Sequence, residues 1–245
     1  VKYAVTNISL EELKALPTDV QVAYLAFGHI NNDVGILLKL ITRATVRSDD
    51  LDVVRVSRVL LSSFLMKLAA GRLNEGWETL NKNLNKLERD YSFVSKMAEE
   101  KQAKWESLKR YFSHDNPIRQ IRKKLAFHSD TDDLLASLEI LPQGAVLQDF
   151  HFEHSGNLMF GGAELAQLSN IAKIFEADDL VAGLDRLSDE IIEQAGKMTD
   201  VCFEFLLVFL REYFPDKLEN VDLVELPLQP EHITTPLSFL YRFHE

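Results

Sequence analysis

The sequence predicts an all-α protein: an antiparallel bundle of long helices with a small β-hairpin insertion and an irregular C-terminal arm. Three observations carry that expectation. Apolar residues recur at alternating steps of three and four through most of the chain. Only one stretch alternates as a strand does, and four of the seven prolines (Pro215, Pro227, Pro230, Pro236) fall at or beyond position 215. The 245 residues hold no repeat, low-complexity tract or linker. One domain is expected, with a core over about residues 17–214, the insertion at about 144–162 and the arm at 215–245.

Each element has its own signal. Ser9, followed three residues later by Glu12, is a capping signature for a short helix reaching Leu16. Pro17-Thr18-Asp19 restarts a helix whose apolar face is Ala23, Phe27, Ile30, Val34, Leu37 and Ile41. After a polar break from Arg43 to Asp50, the next helix carries Val53, Val56, Leu60, Phe64 and Leu68. It is expected to kink or stop between Gly71 and Gly76. A third rod of about thirty residues keeps a heptad rhythm from Leu80 through Leu84, Leu87, Tyr91, Val94, Ala98, Trp105 and Leu108 to Phe112. Ser113 to Asn116 ends it, and Pro117 suits the first turn of a short helix carrying Ile118, Ile121 and Leu125. A cap at Ser129 to Asp133 and a short helix to Leu141 come next. Val146 to Glu153 reads as a strand, with a turn at His154 to Asn157 and a return strand at Leu158 to Phe160. A lone hairpin is marginal in water, so it should lean on the helices. The last long helix runs from about Asp178 to Tyr213, with Leu184, Leu187, Ile191, Ala195, Met198, Cys202, Phe205 and Phe209 on one face, and Pro215 ends it. The arm carries Leu223, Val224, Leu228, Ile233, Leu237, Phe239, Leu240 and Tyr241, too much apolar surface to leave in water. It should pack on the bundle or on a partner.

Composition narrows the function. Hydrophobic residues make up 46% and charged residues 27%, an ordinary globular balance. A net charge of −11 argues against a general nucleic-acid coat or an anionic membrane surface as partner. The most apolar run, Val201 to Leu210, is about half a bilayer span and contains Glu204, so no membrane partner is expected. The single cysteine, Cys202, reads as a buried inert thiol. Val1-Lys2-Tyr3-Ala4 leads into a polar segment rather than an apolar leader, and the expectation is a cytoplasmic protein.

Against this acidic background one segment stands out. Lys101 to Leu125 holds eight basic residues (Lys101, Lys104, Lys109, Arg110, Arg119, Arg122, Lys123, Lys124) and two acids (Glu106, Asp115), six net positive charges. An anion such as phosphate is one counterpart, and the acidic faces of the chain's own helices are the other. His29 and Asp33 lie four apart, a usable metal-ligand spacing, but two ligands are not a site. With Asn32 they read as a supporting polar cluster. His151, Glu153 and His154 read as an exposed hairpin face. There is no Gly-rich phosphate loop, no cysteine pair and no Gly-x-Ser-x-Gly elbow. No metal and no cofactor are expected.

The run Ile121-Arg122-Lys123-Lys124-Leu125-Ala126-Phe127-His128 resembles the signature of the HEPN (higher eukaryotes and prokaryotes nucleotide-binding) superfamily. Its members are helical bundles with an arginine, four to six residues and a histidine near the start of a late helix. Arg122 and His128 have five residues between them, and the resemblance spans roughly Pro17 to Tyr213. It implies a metal-independent endoribonuclease of toxin or phage-defence type, working as a homodimer on RNA, with an antitoxin or other protein partner. Arg122 and His128 would be catalytic, and Arg119, Lys123 and Lys124 would attract the RNA backbone. The chemistry is coherent in itself: an imidazole titrates near neutrality and can take a ribose hydroxyl proton. A guanidinium offers forked donors to a phosphate as its charge grows. Two departures stand beside the resemblance: Lys123 replaces the small polar residue usual after the arginine, and no tyrosine follows His128. Six positions on a continuous α-helix lie about 120° apart, so either the helix ends before Phe127, or the site is composite, or the pair is not a site. The rival expectation is a non-catalytic helical interaction or scaffold protein that dimerises and binds a protein partner.

Overall fold

Ser9 and Glu12 open the first helix by reciprocal capping. The Ser9 amide donates to Glu12 Oε2 at 2.7 Å and the Glu12 amide to Ser9 Oγ at 3.2 Å. The computed structural model describes residues 2–45, 52–126, 135, 139, 141, 149–151, 158–219 and 222–225. Its helices are α1 (Leu10–Lys14), α2 (Thr18–Ala44), α3 (Asp52–Tyr91), α4 (Glu99–Ser113), α5 (Pro117–Ile121), α6 (Gly161–Ile174), α7 (Leu180–Tyr213) and α8 (Pro215–Glu219). The strands are β1 (Lys2–Val5), β2 (Asp149–His151), β3 (Leu158–Phe160) and β4 (Asp222–Glu225). The class is all-α.

Two compact units form from interleaved stretches. The first comprises Val1–Leu40, Glu75–Phe112 and Ala195–Glu245, the second Ile41–Asn74 and Ser113–Gln194.

In the first unit the α2 stripe is buried as its spacing implies, with Ala23, Phe27, Ile30, Val34 and Leu37 all in the core. So are Ala195, Met198, Cys202, Phe205 and Phe209 of α7. Tyr24 stacks on Phe209 at 4.8 Å and Phe27 meets Phe205 edge-on at 4.6 Å, so α2 and α7 are joined by aromatic contacts. Trp77 of α3 lies 5.3 Å from Trp105 and 5.1 Å from Phe112 of α4.

Several expectations are corrected by the structure. Helix α3 does not stop at the glycines. A Cβ at Gly76 would stand 3.1 Å from Ile30 Cγ2 and 3.2 Å from Met198 Sδ, so that glycine serves close packing rather than a break. The heptad rod does break, although no glycine or proline marks the place. Ser92 takes a left-handed φ of 57° after Tyr91, and a 3₁₀ turn at Val94–Lys96 precedes α4. The Glu88 carboxylate accepts from the Val94 and Ser95 amides at 2.6 and 3.1 Å, and Phe93 and Met97 replace the expected heptad positions in the core. The start of the C-terminal arm is also regular. Pro215 opens α8, and β4 pairs antiparallel with β1 in the register Lys2↔Glu225 to Val5↔Asp222.

In the second unit the amino-terminal half of α3 turns a different face inward than expected. Leu65, Met66, Ala69, Ala70 and Leu73 are buried, while Phe64 is 56% exposed and Val56, Leu60 and Leu68 are half-buried. The buried face is displaced round the helix from the expected one and includes the small residues Ala69 and Ala70. The α6 helix was not anticipated. Its Ala172 meets α7 so closely that a Cβ at Gly183 would fall 2.6 Å from Ala172 Cα. Strands β2 and β3 pair antiparallel over three residues each, Asp149↔Phe160 to His151↔Leu158. The rest of the expected insertion lies outside the described residues.

Candidate functional site

The basic motif begins on a well-anchored turn in the second unit. Asn116 caps α5, its Oδ1 accepting the Arg119 amide at 2.9 Å while its Nδ2 donates to the His114 carbonyl at 3.1 Å. Pro117 fills the first turn, where its missing N–H costs nothing. Ile118 and Ile121 are fully buried and fix this short helix to the unit. Arg119 Nη1 donates to the His114 carbonyl at 3.2 Å, and Gln120 Nε2 to Asp115 Oδ2 at 2.9 Å.

After Ile121 the helix changes register. Arg122–Ala126 form a π-helical turn, not the continuation of an α-helix that the apolar spacing suggested. Its i→i+5 bonds widen the turn, and such turns are frequent at functional sites. The angular offset of a continuous α-helix therefore does not apply from Arg122 onward. Lys123 and Lys124 are exposed, Arg122 half-buried. His128 lies outside the described residues.

The remainder of the basic segment has a different destination. On α4, Lys101 Nζ lies 3.1 Å from Asp200 Oδ2. Lys104 bonds the same carboxylate and lies 2.8 Å from Glu100. Lys109 pairs with Glu106 at 2.8 Å and sits 5.7 Å above the Trp105 ring. Burial alone would push the Asp200 carboxyl up, but hydrogen bonds from Lys104 and Lys101 outweigh it and hold it below the usual carboxylate range. The hydrogen bond to Asp200, with help from Glu100, raises Lys104. These α4 cations are thus spent on the chain's own acids, and Arg119, Arg122, Lys123 and Lys124 form the part of the island placed on the α5 turn.

His29, Asn32 and Asp33 belong to the first unit, whereas the α5 turn belongs to the second. His29 Nε2 lies 3.6 Å from Asp33 Oδ2 on the outer side of α2, and His29 and Asn32 are exposed. Among the described residues no group of three or more His, Cys, Asp or Glu could hold a metal ion. No described helix is long and apolar enough to cross a membrane.

Two features escaped the sequence reading. Lys67 is almost fully buried in the second unit, bonded to Gln167 and 3.3 Å from Glu164 Oε2 of α6. In the first unit an open groove of about 460 Å³ lies between α2 and α7. Its signal was a second apolar stripe, Val22 and Leu25, off the main face of α2. Compared with protein-family models, curated proteins and solved structures, the chain matches none.

Proposed function

We propose that this chain is a HEPN-type, metal-independent endoribonuclease of toxin or phage-defence kind, acting as a homodimer of antiparallel helical bundles. The observation that carries the reading is the π turn at Arg122–Ala126, which mounts the motif's arginine and two exposed lysines on the buried Ile118 and Ile121. Arg122 would hold the scissile phosphate, and Arg119, Lys123 and Lys124 the flanking backbone. His128 would take the ribose 2′-hydroxyl proton, the oxygen would attack the adjacent phosphorus, and the 5′-oxygen would leave with a proton from an imidazolium. That route requires RNA and needs no metal. The antiparallel arrangement is supported by paired contacts in the first unit. Asp19 meets Lys86 while Ile30 meets Gly76, and Tyr24 meets Phe209 while Phe27 meets Phe205.

The test is cleavage of single-stranded RNA in excess chelator by the full chain and by Arg122→Ala and His128→Ala. Each variant should lose about a hundredfold or more of the rate, the scale of general acid–base catalysis, with helicity and dimerisation unchanged. Undiminished cleavage by both variants would overturn the assignment.

Two observations favour the second reading, a non-catalytic helical interaction or scaffold protein. Lys101, Lys104 and Lys109 are neutralised within the chain, and the α2–α7 groove presents apolar side chains to solvent. A full chain that cleaves no RNA yet self-associates or binds a defined protein would establish it.

A further inference from the structure

We propose that residues 92–98 are an exchange hinge, at which α3 and α4 can join into one helix so that two copies of the chain trade the part that follows it. This is independent of the ribonuclease reading. The hinge lies within the first unit, where α4 folds back on α3, Trp77 lying against Trp105 and stacking on Phe112. A turn between two helices imposes no common rotational phase on them, yet these two share one. Leu84 and Trp105, like Leu87 and Leu108, stand 21 positions apart, three whole heptads, and all four are buried. Leu80 and Phe112, also buried, extend the same seam. On a continuous helix Tyr91, Val94 and Ala98 would complete it. In the bent chain Tyr91 and Val94 are only half-buried, and Ala98 is exposed. No glycine or proline falls between Tyr91 and Ala98, so nothing in the composition opposes a helix there.

Carboxylates hold the bend. Ser92 takes a φ of 57°, a left-handed conformation that is unfavourable for a residue with a Cβ. Glu88 offsets this by accepting the Val94 and Ser95 amides at 2.6 and 3.1 Å and the Ser95 hydroxyl at 2.5 Å. Glu204 of α7 accepts the Ala98 amide at 3.0 Å. Straightening would exchange these three amide bonds for ordinary bonds to the carbonyls four residues back. Phe93 and Met97 weigh the other way. Both are buried out of phase with the seam, Phe93 stacking on Phe205 at 5.4 Å, and they keep the single chain bent. In a pair of copies the balance shifts. The contacts of Trp77 with Trp105 and Phe112 re-form between chains, and Tyr91, Val94 and Ala98 of the two straight helices cover one another. A short, strained connection is where such exchange arises.

The test is to refold heavy-isotope-labelled and unlabelled full chains together at high concentration, isolate dimers and apply a zero-length carbodiimide cross-link. Lys217 Nζ lies 2.7 Å from Glu12 Oε2, and these residues stand on opposite sides of the hinge in sequence. Exchanged dimers should carry the Lys217–Glu12 amide between a heavy and a light chain. Dimers that carry it only within chains would overturn the proposal, because two bent copies associating by their surfaces give that result. Glu88→Ala/Ser92→Ala removes the main hold on the bend and favours a helix, so it should form at least about tenfold more exchanged dimer than Ser92→Gly, which admits the left-handed φ freely. Equal yields from the two variants, or monomer alone from the double variant, would refute the hinge.

Discussion

The same substitution at two glycines of α7 should change stability in opposite directions. A Cβ at Gly183 would stand 2.6 Å from Ala172 Cα, 2.9 Å from its amide nitrogen and 3.0 Å from its Cβ. Carbon atoms in contact prefer separations of about 3.5–4.0 Å, so α6 and α7 must part by about 1 Å, and the obstruction is backbone that cannot rotate away. Overpacking of this kind costs about 1–3 kcal/mol. Alanine recovers at most about 1 kcal/mol of helix preference, and less in the first turn. Gly183→Ala is therefore expected to be about 1–2 kcal/mol less stable than the parent. At Gly196, in the middle of α7, an added Cβ meets nothing within 4 Å, and the preference acts alone. Gly196→Ala should gain about 0.5–1 kcal/mol. At about 2–4 °C per kcal/mol for a chain of this size, the two midpoints should differ by about 3–12 °C. Helical circular dichroism followed against temperature and urea measures this, with an unchanged urea slope as the check that only stability has moved. If Gly183→Ala melts at or above the parent, the close approach of α6 and α7 is not what the glycine is for.

Three further outcomes are expected. Lys67, with a side chain only 6% exposed, faces Glu164 at 3.3 Å, so Glu164→Gln leaves an ammonium group buried without its carboxylate. It should cost about 3 kcal/mol in urea denaturation, while Lys67→Met, which removes the buried charge itself, should cost about 1 kcal/mol or less; equal costs would refute the pairing as the source of stability. Asp200 is held below its ordinary value of 3.8 despite its partial burial, because Lys104 and Lys101 hydrogen-bond it. Its contribution is complete above that ordinary value and is lost as pH falls through the lowered one. Melting temperature should therefore drop less steeply below about pH 4 in Asp200→Asn than in the parent, and parallel acid profiles would show that Asp200 contributes nothing to acid stability. Burial pushes the Cys202 thiol up to about 12. At pH 8 it should react with an aromatic disulfide reagent only as fast as the chain opens, and an immediate stoichiometric reaction of the native protein would contradict its burial.

Helix identity was legible wherever one apolar stripe had no competitor. Ala23 to Ile41 on α2 and Leu187 to Phe209 on α7 are buried with few exceptions, because a 3.6-residue period leaves a single face to cover. Legibility failed where tertiary contacts decide. On the amino-terminal half of α3, Phe64 is exposed and Val56 and Leu60 are only half-buried, while Leu65, Met66, Ala69 and Ala70 are covered. The break at Ser92 is held by Glu88 reaching six residues forward, and nothing in local propensity announces it. The terminal strands β1 and β4 pair across almost the whole chain, beyond any window of periodicity.

The basic segment shows the same division at the level of function. Counted along the chain, its cations look like one anion site. In space, Lys101 and Lys104 meet Asp200, nearly a hundred positions away, and their charge is answered there. The α5 turn is a separate part of the segment, where Arg119 to Lys124 continue from a buried anchor into a π register. Spacing in a sequence assigns angles on an assumed helix, whereas this register is set by which carbonyl each amide finds. The facing of Arg122 is therefore a property of that turn, and a substitution that restores α-helical bonding there would redirect the guanidinium without altering a single charge.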